Sequence, residues 1–240
     1  MKTLLISDLH LSPERPAVTS AFKRFLSEQA THCDALYILG DLFDVWVGDD
    51  DPAPLPREII DELRAFTDHG GRLYIMHGNR DFGLGKRFAR ETGCTLLKDH
   101  HVVDLYGHSV LLLHGDTLCT EDHDYQRARR IIRNPQLIMI MRCLPLKIRQ
   151  QIGIRARASS QAATGKKNDY IMDISQHAVQ STLSKYDVTA MIHGHTHRPG
   201  RHEIDLNGVT AQRIVLGDWH DKGWVVEASP NGLELMPFDI

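Results

Sequence analysis

Five short apolar runs, each delivering a polar ligand-type residue where it stops, constrain this chain more than any other feature. TLLIS (residues 3–7) leads into Asp8-Leu9-His10, LYIL (36–39) into Gly40-Asp41, and LYIM (73–76) into His77-Gly78-Asn79-Arg80-Asp81. SVLLL (109–113) leads into His114-Gly115-Asp116, and VTAMI (188–192) into His193-Gly194-His195-Thr196-His197. Runs of this length, rich in Leu, Ile and Val, read as strands buried on both faces. A sixth run, RIVL (213–216), reads the same way. Between them, residues 21–30 place Phe22, Phe25 and Leu26 on one helical face, and residues 57–66 do so with Ile59, Ile60, Leu63 and Phe66. Alternating strands and helices predict an α/β protein. Residues 102–113, broken at Gly107-His108, predict an antiparallel hairpin, so the sheet is expected to be mixed.

The strand ends are where sites form in such sheets, because the departing loops converge there. In Asp8-x-His10 and His195-x-His197 an extended chain would point both members to one side. Glycines 40, 78, 115 and 194 let the backbone turn away beside each candidate ligand. Asp and Asn oxygens with imidazoles, and no thiolate, suit Mn, Fe, Co or Zn in an open site rather than structural zinc. Seven candidates exceed the needs of one ion and suit two ions roughly 3.5–4 Å apart. A lone Asp or His after a strand is usually a turn or cap residue; five coincident cases are hard to produce that way. His32, His69, His100, His101, His108, His177 and His202 are assigned to surface or core. The run Asp49-Asp50-Asp51 lacks the spaced ligands of a calcium loop and is read as a solvated loop.

Residues 120–173 contain no such strand. Leu137, Met141, Leu144 and Ile148 repeat with helical period, interrupted by Pro145, and predict a helical insertion on one domain spanning residues 1–240. Charge sets this segment apart. Residues 125–168 hold eleven Lys or Arg and no Asp or Glu, which leaves 17 basic residues against 31 acidic ones elsewhere. A cationic stretch on an anionic body is expected to meet phosphate, nucleic acid or an anionic membrane surface. Cys33, Cys94, Cys119 and Cys143 stand far apart, which argues for reduced thiols. No signal peptide is read at Met1, and no apolar run approaches the roughly 18 residues of a spanning helix.

Together Asp8-x-His10, Gly40-Asp41-x-x-Asp44, Gly78-Asn79-Arg80-Asp81, His114-Gly115-Asp116 and Gly194-His195-Thr196-His197 resemble the motifs of calcineurin-like metallophosphoesterases, in family order. The resemblance implies a four-layer αββα sandwich of mixed sheets with a helical cap. It implies one ion on Asp8, His10, Asp41 and His197, and another on Asp41, Asn79, His114 and His195, with Asp41 bridging. Many members carry His after the Gly-Asn pair; here Arg80 stands there, which suits clamping phosphate rather than donating a proton.

With Gly48-Asp49-Asp50-Asp51, residues 85–90, residues 114–120 and the insertion, the chain is similar to the branch of the family acting on UDP-2,3-diacylglucosamine. That implies cleavage to UMP and 2,3-diacylglucosamine 1-phosphate (lipid X) in lipid A biosynthesis, by metal-activated attack on the uridine-linked phosphorus. It implies two Mn²⁺, catalytic roles for Asp41, Asn79, Arg80, His114 and His195, and substrate contacts at Asn79, Arg80, Asp122, Ser160, Thr164, Lys167 and His195. A monomer in the cytoplasm, peripheral on the inner membrane, with no nucleic-acid partner, completes the expectation. One alternative is a nuclease or dinucleoside polyphosphate hydrolase, which should show exposed aromatics for stacking; from residue 125 to 170 the aromatics are Tyr125 and Tyr170. Another is a non-catalytic scaffold, which should have lost ligands.

Overall fold

The computed structural model describes residues 1–164 and 174–240, with side chains as far as residue 158 in the first stretch. Eleven strands form two sheets. In the first, β1 (Thr3–Ile6), β2 (Ala35–Ile38), β3 (Leu73–Met76) and β4 (Thr95–Leu97) run parallel. The sheet continues antiparallel from β1 through β10 (Lys222–Ser229) to β11 (Gly232–Asp239). In the second, the hairpin β5 (His100–Leu105) and β6 (His108–Leu113) joins β7 (Ala190–His193) and the pair β8 (Gly200–Leu206) and β9 (Val209–Val215). There β6, β7 and β9 are parallel, whereas β5 and β8 are antiparallel edge strands.

Three apolar layers explain the burial. Helices α1 (Pro16–Glu28), α2 (Pro54–Asp68) and α3 (Lys86–Thr92) cover the outer face of the first sheet, with Phe22, Phe25, Ile59, Leu63 and Phe88 packed on Ile6, Ile38 and Ile75. The sheets meet face to face through Leu5, Leu39 and Met76 on one side and Val110, Leu112, Ile192 and Ile214 on the other. Helix α7 (Gln176–Tyr186) covers the second sheet through Val179 and Leu183. The central parallel strands β1, β2 and β3 are thus enclosed on both faces, which is why their sequences, TLLI, ALYI and LYIM, are almost wholly apolar. This is the expected αββα arrangement.

Between β6 and α7 lie α4 (His123–Ile132), α5 (Pro135–Cys143) and α6 (Leu146–Thr164). Leu144 is extended before Pro145, so the helical period breaks where proline demands. No residue of α4 or α5 is fully buried. Ion pairs with the body hold these helices: Arg129 and Arg133 meet Asp99 and Asp116, Arg149 forks onto both oxygens of Asp50 (2.8 and 2.5 Å), and Arg157 meets Asp44 (2.8 Å). Four of the insertion's cations thus neutralise acidic residues of the body. One expectation is corrected here. The run Asp49-Asp50-Asp51 is a docking surface rather than a solvated loop. Asp49 accepts from the backbone of Gly85, Arg87 and Phe88 at the start of α3, and Asp50 receives Arg149. Among the described residues, no helix is long and apolar enough to cross a membrane.

Candidate metal centre

Each candidate ligand lies just past a strand, and the backbone there is unusual. Among the described residues eight non-glycine residues have positive φ, and five of them are Asp8, His10, Asp41, His195 and His197. Left-handed backbone at such residues costs on the order of 1–3 kcal/mol each and gathers at functional sites. It also corrects the expected geometry. Asp8 with His10, and His195 with His197, converge through left-handed turns, not through the alternation of an extended strand. The turns cross-link: Asp8 N–H donates to the Gly40 carbonyl (3.1 Å), Gly194 N–H to that of His114 (2.8 Å), and His195 N–H to Asp8 Oδ2 (2.9 Å). Asp81 ties two loops together by accepting from Gly78 N–H (2.8 Å) and Leu42 N–H (2.8 Å).

The side chains form two groups of donors. In the first, His10 Nε2 lies 3.2 Å from His197 Nε2, with Asp8 Oδ1 at 3.5 Å from His197 Nε2 and 4.0 Å from His10 Nε2. In the second, Asn79 Oδ1 lies 3.0 Å from both His114 Nε2 and His195 Nδ1. Asp41 Oδ2 sits between them, 3.9 Å from His10 Nε2 and 3.7 Å from His114 Nε2.

A cation fits each group. His114 Nδ1 faces the Leu39 carbonyl at 2.9 Å, so in the neutral ring the proton is there and Nε2 turns a lone pair toward the acceptor Asn79 Oδ1. In that neutral form two acceptors face each other at contact distance. Among the described residues Asp8 Oδ1, fully buried, finds no hydrogen-bond partner. Burial pushes the Asp41 carboxyl up to about 7, aided by Asp81 and Asp8 and opposed by His114. Burial pushes His195 down to about 4, which keeps its ring neutral. Burial also works against protonation of His114, yet Asp41, Asp8 and Asp116 outweigh it and raise its pKa. The site thus gathers the buried carboxylates Asp41, Asp8 and Asp116 around His114.

Four acidic residues that received no role in the sequence surround these groups. Asp218 Oδ2 lies 3.5 Å from His197 Nδ1, a carboxylate behind an imidazole. The sixth apolar run ends in Gly217-Asp218, the same pattern as Gly40-Asp41, and this was the available signal. Asp44 Oδ1 lies 3.9 Å from His10 Nδ1. Asp116 accepts from the Tyr125 hydroxyl (2.8 Å) and pairs with Arg129, while Asp81 ties loops as described. His193, by contrast, is buried and structural, facing the Gly194 carbonyl at 2.8 Å.

Arg80 donates its backbone N–H to Asp41 Oδ1 (2.8 Å), which anchors the residue beside the shared carboxylate. Burial lowers the pKa of its guanidinium; Asp41 opposes this and the nearby Arg157 adds to it. Asp122, expected to touch substrate, caps α4 by accepting from Tyr125 N–H (3.0 Å). Lys167 lies outside the described residues, as do the side chains of Ser160 and Thr164.

Residues 1–199 match the model of the calcineurin-like phosphoesterase family. A Pectobacterium carotovorum protein named UDP-2,3-diacylglucosamine hydrolase is 51% identical over 238 residues, 99% of each chain. One of the same name from Escherichia coli O81 is also 51% identical over 99% of each. The solved structure of a novel archaeal phosphodiesterase covers 100% of both chains with a TM-score of 0.50 at 13% identity, a likeness of fold. By its motifs, its two-sheet architecture and this family match, the chain belongs to the calcineurin-like phosphoesterases.

Proposed function

We propose that the protein hydrolyses the diphosphate bond of UDP-2,3-diacylglucosamine at a pair of divalent cations, releasing UMP and 2,3-diacylglucosamine 1-phosphate. The observation carrying this reading is the pair of donor groups that share Asp41, with Arg80 beside that shared carboxylate. Asp8, His10, Asp41 and His197 would hold one ion, and Asp41, Asn79, His114 and His195 the other. Oxygen and imidazole donors without thiolate suit Mn²⁺. Such a pair, when bound, lowers the pKa of a coordinated water and offsets charge on phosphate oxygens.

The chain's own groups do the rest. Asp218 and Asp44 stand behind His197 and His10, at 3.5 and 3.9 Å from their Nδ1 atoms, carboxylates placed to orient those rings. Arg80 and Arg157 are two nearby guanidiniums, the second already paired with Asp44 at 2.8 Å. A diphosphate bridging them is oriented by forked hydrogen bonds. Substrate choice is supported by the relatives of that name at 51% identity. Leu137, Ile138, Met141 and Leu144, half-buried in the insertion, supply an apolar face for acyl chains. Exposed Ile131, Met139, Ile140 and Ile154, with the exposed cations Arg127, Arg130, Lys147 and Arg155, suit peripheral contact with an anionic membrane.

The test is product analysis of UDP-2,3-diacylglucosamine against UDP-sugars, dinucleoside polyphosphates and single-stranded DNA. Manganese-dependent UMP release from the acylated substrate at a kcat/KM at least a hundredfold above the others is expected. Equal or faster turnover of a polyphosphate or of DNA would reject the substrate assignment.

A further inference from the structure

Gly78 is the point where the shared carboxylate, the loop of Asn79 and the helical insertion meet. A Cβ at Gly78 would stand 2.0 Å from Asp41 Oδ1, so the backbone passes as close to Asp41 as glycine permits. Its N–H donates to Asp81 Oδ1 (2.8 Å), and two residues on Arg80 N–H donates to Asp41 Oδ1 (2.8 Å). Both of those bonds are made within the body. The third restraint comes from the insertion: Arg133, the C-terminal cap of α4, donates from Nη2 to the Gly78 carbonyl at 2.8 Å.

That carbonyl and the Asn79 N–H belong to one planar peptide unit. Holding the carbonyl therefore restrains the plane from which Asn79 springs and narrows the directions open to Oδ1, which lies 3.0 Å from both His114 and His195. Arg133 is itself held, since its Nη1 donates to Asp99 (2.7 Å) and its Nη2 lies 3.4 Å from Asp116 Oδ2. Its side chain is 13% exposed, so water competes weakly for these bonds. We propose that Arg133 is a positioning residue of the metal centre, by which the insertion orients the Gly78–Asn79 peptide and aims Asn79 at the cation it shares with His114 and His195. This rests on the reading of Asn79 as a ligand.

The competing role is plain docking of α4, and Arg129 separates the two. It pairs with the same carboxylates, Asp116 at 2.6 Å and Asp99 at 2.6 Å, but among the described residues it makes no bond to Gly78. Removing Arg129 loosens the docking; removing Arg133 also releases the peptide.

Manganese is titrated calorimetrically into the metal-free full-length chain, with the unfolding temperature measured alongside. The unaltered protein should bind two equivalents. Asn79→Ala should weaken one of them. Arg133→Met should weaken that same equivalent by roughly 10- to 100-fold, the usual effect of losing a group that orients a ligand. Arg133→Lys, which can reach one acceptor but not fork onto two, should recover part of the loss. Arg129→Met should lower the unfolding temperature at least as much yet leave both equivalents near their original affinity. Should Arg133→Met not fold, Arg133→Lys against Arg129→Lys makes the same comparison with charge retained. If Asn79→Ala binds manganese like the unaltered chain, the ligand reading fails and this inference with it. If Asn79→Ala weakens one equivalent while the Arg133 variants do not, or Arg129 variants weaken it equally, Arg133 only docks the helix.

Discussion

A single carboxylate, Asp41, carries a cost that shows why it is there. Buried at 2% exposure, with a left-handed backbone and a pKa raised to about 7, it opposes folding near neutral pH unless positive charge arrives. The sign follows from proton binding. Between about pH 4 and 7 the folded state holds a proton on Asp41 that the unfolded state has released. Its contribution to stability is therefore complete below about pH 4 and is lost as pH rises through 7. Under chelation, Asp41→Asn should show a smaller fall in unfolding temperature from pH 5 to 8 than the unaltered chain, while losing manganese binding and several orders of magnitude in rate. A parallel pH dependence in the two proteins would mean the carboxylate is already compensated without metal. Arg80 makes the complementary case. Arg80→Ala should lower kcat on the order of a hundredfold with both manganese equivalents retained, and Lys should restore only part of it. Near-normal kcat at saturating substrate would remove Arg80 from the reaction. The seven proposed ligands were legible because residue type and position after a strand coincide. Asp218 was legible in principle, by the same Gly-Asp rule, one run further on. The left-handed turns were not, since i, i+2 spacing is equally compatible with a strand and a turn.

Elements were readable where one environment acts along their whole length. β1, β2, β3, β6 and β7 are buried on both faces, so their boundaries fall within about two residues of the apolar runs. β10 and β11 escaped because polar residues and glycine interrupt them, as in KGWVVEAS, and Pro237 argues against a strand unless it lies at an edge, which β11 does. The insertion was readable as helix but not in how it is held: no period in the sequence says that Arg149 reaches Asp50 or Arg157 reaches Asp44. Docking by ion pairs leaves the apolar residues of α5 for another use. Leu137, Met141 and Leu144 stay half-buried and Met139 and Ile140 exposed, more apolar surface than one packed stripe requires. Burial of acyl chains at about 0.8 kcal/mol per CH₂ makes such a face matter for affinity. Replacing Leu137, Met141 and Leu144 together with Ser should lower kcat/KM for long-chain substrate at least tenfold and barely change it for the deacylated sugar nucleotide. An equal effect on both would return α5 to plain packing.

Across the whole molecule, the basic insertion and the acidic body turn out to be partners before they meet anything else. Arg129, Arg133, Arg149 and Arg157 each hold a carboxylate of the body, so the positive charge facing outward is smaller than the count of eleven suggests. Those internal pairs are partly or largely shielded from water and should respond little to added salt. Arg127, Arg130, Lys147 and Arg155 are exposed and should respond fully. Each such cation near an anionic bilayer contributes about 1 kcal/mol, fading within a Debye length. Ile131, Met139, Ile140 and Ile154, exposed at 63, 63, 57 and 67%, would contribute a part of binding that salt does not screen. Membrane association should therefore have two separable components. In flotation with phosphatidylglycerol-containing vesicles, raising salt from 50 to 500 mM should weaken binding without abolishing it. Changing the four cations to Gln should remove the salt-sensitive part and leave the unfolding temperature unchanged, because none of them holds the insertion to the body. Changing Ile131, Met139, Ile140 and Ile154 to Ser should remove the remainder. Binding that vanishes completely at high salt, or that survives both sets of changes, would place the membrane contact elsewhere on the molecule.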